Sequence, residues 1–275
     1  MKKFQLDVNG TNYACIEAGK GPLVLLMHGT TGGKALMVPQ LEALSSGYRC
    51  VAFDWPGHAE SGYDPKGWTA DDLVEDVATM ITELGEKDAI LVGVSQGGAI
   101  GMRVALKHPG KVRALVNMCG GPGGPPPAAL AKLALFTKTM AEGDEGQRRL
   151  AAEAFSKGYL HAPDFPERDP LRFNAEIELL MSHPRESVQL LFGVPRSYQD
   201  ITDQLGNIRC PTLIIWAPYD SRPEMGEKMA AAIPGAKLVI IENAGHHVNV
   251  DAPETTSTAI KAFLDELAQA AGSRG

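Results

Sequence analysis

Along the chain, short apolar runs alternate with stretches in which apolar residues return every three or four positions. Two runs, FQLDV and TNYACIEA, flank Asn9-Gly10. That pair supplies the positive-φ residues of a tight turn, so the chain is expected to open on a β-hairpin. Leu23 to Met27 (LVLLM) reads as a buried strand, followed by the loop His28-Gly29-Thr30-Thr31-Gly32-Gly33, a helix to about Ser46 and a strand over Cys50 to Asp54. Thr69 with Asp72 resembles a capping box, and Leu73, Val77, Met80, Ile81 and Leu84 fall on one helical stripe. Ala89 to Val94 (AILVGV) is the next strand, Gln96 to Lys107 a helix, and Ala114 to Met118 a strand.

After Cys119 the pattern changes. GGPGGPPP breaks regularity, and the stretch beyond it is helical in pattern with no convincing strand, which marks an insertion. Alternation resumes at Pro211 with TLIIWAP as strand, Pro223 to Ile233 as helix, KLVII as strand and Pro253 to about Ala270 as a final amphipathic helix. Strands alternating with helices imply an α/β fold with a parallel sheet covered on both faces. The expected organisation is a core of residues 1–124 and 204–275 interrupted by a helical cap at 125–203.

With 275 residues, 44% of them hydrophobic, the chain can bury a large core without disulfide or metal staples. Charge changes the picture more: 26 Lys and Arg against 33 Asp and Glu leave −7, and no basic cluster exceeds two residues, so a nucleic-acid partner is not expected. The longest uncharged stretch, Ala114 to Ala131, contains four Gly and four Pro and cannot form a membrane helix. The start, MKKFQLDVNG, lacks the apolar h-region of a signal peptide. Cys15, Cys50, Cys119 and Cys210 share no C-x-x-C spacing and are expected as free structural thiols, which suits a cytoplasmic location.

Gly93-Val94-Ser95-Gln96-Gly97 lies where a buried strand gives way to a helix. That context turns a weak pentapeptide into a candidate nucleophile elbow, with Ser95 on a strained turn and glycines leaving room for neighbouring backbone. A serine hydroxyl needs a base and a carboxylate to orient the base. Asp220 follows TLIIWAP, and His246 follows KLVII in Asn243-Ala244-Gly245-His246-His247, so both stand at carboxyl ends of strands, where an open α/β sheet gathers its site. His247 competes with His246, from which only its position separates it. Asp54 is expected to brace its loop, and His58, His161 and His183 are expected to be loop or surface residues. No residue cluster has metal-ligand spacing, and Thr30-Thr31-Gly32-Gly33 lacks a Walker lysine, so neither metal nor nucleotide is assigned.

Five motifs in order carry a resemblance: His28-Gly29, Asp54-Trp55-Pro56-Gly57-His58, the serine elbow, Cys210-Pro211 leading to Asp220, and Gly245-His246. Over nearly its whole length the sequence resembles the α/β-hydrolase fold superfamily, in particular its small cap-bearing serine esterases. The resemblance implies a mostly parallel sheet of about eight strands and a Ser95–His246–Asp220 triad. It also implies an oxyanion hole made by the backbone N–H groups of Thr30 and Gln96, a structural His28, and no cofactor. The sequence departs from the commoner pattern at Ala217-Pro218-Tyr219-Asp220, which replaces a glycine-led turn, and at Ala59-Glu60, which replaces a G-x pair.

The expected activity is hydrolysis of a small-molecule carboxylic ester. Lactonases, carbon–carbon bond hydrolases and perhydrolases of the same fold share the triad, and a receptor retaining the pocket is an alternative of another class. Leu130, Leu133, Leu135, Phe136 and Met140 offer an apolar surface in the cap, and Leu135 and Phe136 are expected to contact substrate.

Overall fold

The opening hairpin forms where the Asn-Gly pair places it. In the computed structural model, which describes residues 1–272, β1 (Lys2–Val8) pairs antiparallel with β2 (Thr11–Ala18). Asn9 and Gly10 turn the chain at φ 48° and 87°.

Six further strands follow: β3 (Leu23–Met27), β4 (Arg49–Phe53), β5 (Ala89–Val94), β6 (Val112–Met118), β7 (Thr212–Trp216) and β8 (Lys237–Ile240). They form one eight-stranded sheet in the order β1-β2-β4-β3-β5-β6-β7-β8, parallel from β4 onward. Strands β3, β5 and β7 are buried along their whole length, as their unbroken apolar sequences require. The register aligns Met27 with Phe53 and Gly93, and Val94 with Met118. The loops holding His28, Asp54, Ser95 and Cys119 therefore leave the sheet side by side.

Helices α1 (Val38–Leu44), α2 (Ala70–Glu83) and α3 (Gln96–Lys107) connect the early strands. Thr69 and Asp72 close a reciprocal capping box on α2, an arrangement worth about 1 kcal/mol. The connection from β3 to β4 runs toward one edge of the sheet and that from β5 to β6 toward the other. Right-handed crossovers accordingly place α1 and α3 on opposite faces.

The stretch between β6 and β7 holds six helices: α4 (Pro127–Glu142), α5 (Glu145–Phe155), α6 (Phe165–Arg168), α7 (Pro170–Ser182), α8 (Arg185–Leu191) and α9 (Gly193–Arg196). It closes with a 3-10 turn over Thr202–Asn207. This insert has an apolar cluster of its own, built around Phe136, Met140, Phe165, Phe173 and Ile177, and Val250 of the core joins it. After β7 come α10 (Met225–Ala232), the short α11 (Val248–Asp251) and α12 (Pro253–Gly272), which packs against α1. All four cysteines are free. Among the described residues no helix is long and apolar enough to cross a membrane.

Candidate active site

Ser95 sits at φ 53° and ψ −113°, a left-handed conformation that a non-glycine residue adopts only under constraint. The constraint comes from packing on both sides. Ser95 N–H donates to Met118 O at 2.7 Å and its carbonyl accepts Ala99 N–H at 2.9 Å. A Cβ on Gly97 would stand 2.7 Å from the carbonyl carbon of Met27, so only glycine lets α3 start this close to β3.

The side chain of Ser95 meets His246. Oγ lies 2.7 Å from Nε2, and Nδ1 on the other side of the ring lies 2.5 Å from Asp220 Oδ2. A carboxylate only accepts, so Nδ1 carries the hydrogen and Nε2 of the neutral ring is left to accept from the serine. Burial alone would raise the Asp220 carboxyl, but His246 and the Arg222 N–H, which donates to Oδ1 at 2.8 Å, hold it below its ordinary range. The backbone N–H groups of Thr30, in the loop after β3, and of Gln96, in the first turn of α3, stand beside Ser95 and take no part in turn, loop or cap bonds. Thr30 Oγ1–H donates to Gln96 Oε1 at 3.2 Å, tying the two residues together.

Three buried histidines anchor the Thr30 loop. His28 Nε2 accepts Trp55 N–H at 3.0 Å, which leaves Nδ1–H to donate to Gly29 O at 2.6 Å. His58 Nε2 lies 2.6 Å from Thr30 O, and His183 Nε2 lies 3.1 Å from Thr31 O. Burial pushes all three imidazoles down, His183 to about 3, so they act as neutral braces. His28 thus has the structural role expected of it. His58 and His183 lie in loops, as expected, but neither is a surface residue: both are buried, because backbone carbonyls of the Thr30 loop need donors there. Asp54 braces its loop as expected, accepting Lys34 N–H at 2.7 Å and Glu60 N–H at 3.3 Å. Ala59, where the commoner pattern has glycine, takes φ 41°.

His161 also lies in a loop, as expected, but is buried and belongs to a second cluster. Glu176 on α7 accepts His247 Nδ1–H at 2.7 Å, and its other oxygen lies 3.2 Å from His161 Nε2. Asp251 accepts from His161 Nδ1 at 2.5 Å and from the backbone N–H groups of Ala162 and Gly245, each at 2.8 Å. Burial would lower His161, but the Glu176 charge and the Asp251 and Glu176 hydrogen bonds outweigh it and raise it to about 9. Burial likewise would raise Glu176, yet the two imidazoles hold it well below its ordinary range. Gly245 has no side chain because the insert presses on it: a Cβ would stand 2.7 Å from His161 Cα. Sequence reasoning missed Glu176 and Asp251. For Glu176 a signal existed, since it shares a helical stripe with Phe173, Ile177 and Leu180, where a lone carboxylate needs partners.

A cavity of about 150 Å³ opens beside Ser95, walled by Thr30, Gln96, His246 and His247 from the core and by Leu133, Phe155, Tyr159, Leu160 and Phe192 from the insert. One turn of π-helix, Ser156–Leu160, carries Tyr159 to 5.6 Å from the His246 ring. Leu135 and Phe136 do not line this cavity, which corrects their expected role. Leu135 is 69% exposed, on the outer side of α4. Phe136 is buried behind the wall, stacked on Phe155 at 4.3 Å. Helical period accounts for Leu135, which stands two residues beyond the lining Leu133 and so points the other way; Phe136, nearly one turn on, shares the buried face of Leu133 but is covered by Phe155.

Residues 22–253 match the profile of the alpha/beta hydrolase fold family. The chain belongs to that family. Among curated relatives, the 2-(acetamidomethylene)succinate hydrolase of Mesorhizobium japonicum is 28% identical over 274 residues, covering 95% of this chain and 94% of that one. A 2-hydroxy-6-oxononadienedioate/2-hydroxy-6-oxononatrienedioate hydrolase of Klebsiella pneumoniae is 27% identical over 256 residues, covering 88% of this chain and 86% of that one. A thermophilic esterase from Thermogutta terrifontis, solved with malate bound, superposes with a TM-score of 0.87 at 24% identity, covering 97% of this chain and 99% of that one. In this α/β-hydrolase chain, as across those matches, the similarity extends over nearly the full length, and hydrolase activity is the property it supports.

Proposed function

We propose that the protein is a serine hydrolase that cleaves a small carboxylic ester through an acyl-enzyme. The observation that carries this reading is the continuous hydrogen-bonded chain from Ser95 Oγ through His246 to Asp220, at 2.7 and 2.5 Å. Ser95 Oγ attacks the ester carbonyl while His246 Nε2 takes its proton. Asp220 keeps the ring in the tautomer that can accept, and stabilises the imidazolium once it forms. The developing oxyanion is received by the N–H groups of Thr30 and Gln96, worth about 3–4 kcal/mol per donor. His246 returns the proton to the leaving alcohol, and water repeats the sequence on the acyl-enzyme. No step calls for a cofactor. The helices between β6 and β7 act as a cap that shapes the pocket through Leu133, Phe155 and Phe192, and the protein works in the cytoplasm.

A second reading is hydrolysis of a lactone or a carbon–carbon bond through the same oxyanion; the Klebsiella relative, named as a hydrolase of 2-hydroxy-6-oxononadienedioate, favours a substrate other than a simple ester. Acid-quenched turnover of a short-chain ester, followed by peptide mass analysis, tests the first reading. An acyl group on the Ser95 peptide is expected; no turnover of any ester in a panel of acyl lengths would overturn it in favour of the second.

A further inference from the structure

Among the described residues that wall the cavity, Arg222 is the sole Asp, Glu, Lys or Arg. The chain as a whole carries −7, and the Asp220 and Glu224 carboxylates lie within Coulombic reach of Arg222 without meeting its guanidinium in a hydrogen bond or ion pair. The main chain of Arg222 is committed to holding the site: its N–H donates to Asp220 Oδ1, and its carbonyl accepts Trp216 Nε1–H at 3.0 Å. Its guanidinium, by contrast, has no hydrogen bond or ion pair with any described residue. That group lies over Gly121, where a Cβ would stand 3.0 Å from the guanidinium carbon. Gly121 follows β6 while Thr30 follows β3, and β5 with Ser95 lies between them. A substrate whose carbonyl oxygen points to Thr30 and Gln96 therefore extends its other end toward Arg222. Tyr159, its phenol raised by burial and so kept as a donor, stands on the same side.

A planar guanidinium offers paired N–H donors matched to a carboxylate, and an unpaired charge facing a mostly apolar wall gains most from a ligand that brings the counter-charge. The small cavity limits such a ligand to a few bonds between the reacting carbonyl and the anion. We propose that Arg222 is the specificity-determining residue of the site and selects short esters that carry a carboxylate. This rests on the ester-hydrolase reading above.

Two matched pairs of substrates test it and report which portion of the ester bears the anion. Monoethyl succinate against ethyl levulinate varies the acyl side, and acetoxyacetate against acetoxyacetone varies the alcohol side. In at least one pair the wild-type kcat/KM ratio, anionic over neutral, should exceed about 10 and fall as salt is raised. Arg222→Met should collapse that ratio by on the order of 10- to 100-fold, with Arg222→Lys retaining part of it. Arg222→Gln replaces the methionine variant if that protein melts early. Binding to the Ser95→Ala protein, by calorimetry, separates this proposal from the one it rests on. Anionic esters that bind, lose affinity at least tenfold when Arg222→Met is added, and are never turned over would uphold the carboxylate site and sink the hydrolase reading. Ratios near 1 in both pairs, unchanged by the Arg222 variants while esters are hydrolysed, would overturn the carboxylate site alone.

Discussion

His161 and Asp251 meet 2.5 Å apart, Nδ1 to Oδ1, at the seam between the helical insert and the loop that carries His246. Asp251 also holds Gly245 N–H, so one carboxylate fixes the insert and the candidate base together. Glu176 reaches across the same seam from α7 to His247.

This seam predicts a pH dependence of stability. An unfolded histidine titrates near about 6.5, whereas His161 in the folded protein does so at about 9. A raised pKa contributes stability that is complete below the unfolded value and lost as pH climbs through the folded one. Urea unfolding should therefore show the wild type losing on the order of 1–3 kcal/mol between about pH 6.5 and 9 relative to His161→Gln. Glu176 acts with the opposite sign, its contribution disappearing as pH falls below about 4.3. Parallel stability profiles for the two proteins would remove the seam's ionic role.

His246 and His247 have different partners, and their variants should differ accordingly. His246→Ala removes the group 2.7 Å from Ser95 Oγ and should leave almost no activity. Asp220→Asn, which can offer an N–H where His246 needs an acceptor, should lose about 10³ to 10⁴ in kcat. His247→Ala breaks the bond to Glu176 and should mainly lower stability and alter KM. Near-wild-type turnover in His246→Ala, measured on the same ester, would transfer the base to another residue.

Leu135 and Phe136 are neighbours with opposite surroundings. Phe136→Ala should destabilise the protein by about 3–5 kcal/mol, since it opens a hole in the insert's cluster beside Phe155 and Phe192. Leu135→Ala should change stability by less than about 0.5 kcal/mol and leave the acyl-length ranking alone. Thermal and urea unfolding of the two variants decide this, and equal losses would show that the helix is rotated from the orientation described.

What the sequence discloses divides along physical lines. The strands at 23–27, 89–94 and 212–216 are legible because continuous apolar runs bounded by turn residues have few other solutions. Ser95 and Asp220 are legible because each comes after such a strand, and His246 because it follows the last, less buried strand β8; the parallel sheet gathers all these strand ends. The braces His58 and His183 are not, because what marks them is a carbonyl distant in sequence, at Thr30 and Thr31. Nor is the cavity wall, where a shift of two residues along α4 exchanges Leu133 for Leu135 and a lining position for solvent.

The central claim is that Ser95 is the nucleophile, and the rate of the Ser95→Ala variant tests it most directly. Steady-state hydrolysis of a short ester should show kcat lowered by on the order of 10⁴ or more, with the unfolding midpoint within a few degrees of wild type. A serine-directed phosphonate should label the wild type once, at Ser95. A folded Ser95→Ala protein that keeps even a tenth of the activity, or a phosphonate found on another residue, would contradict the account.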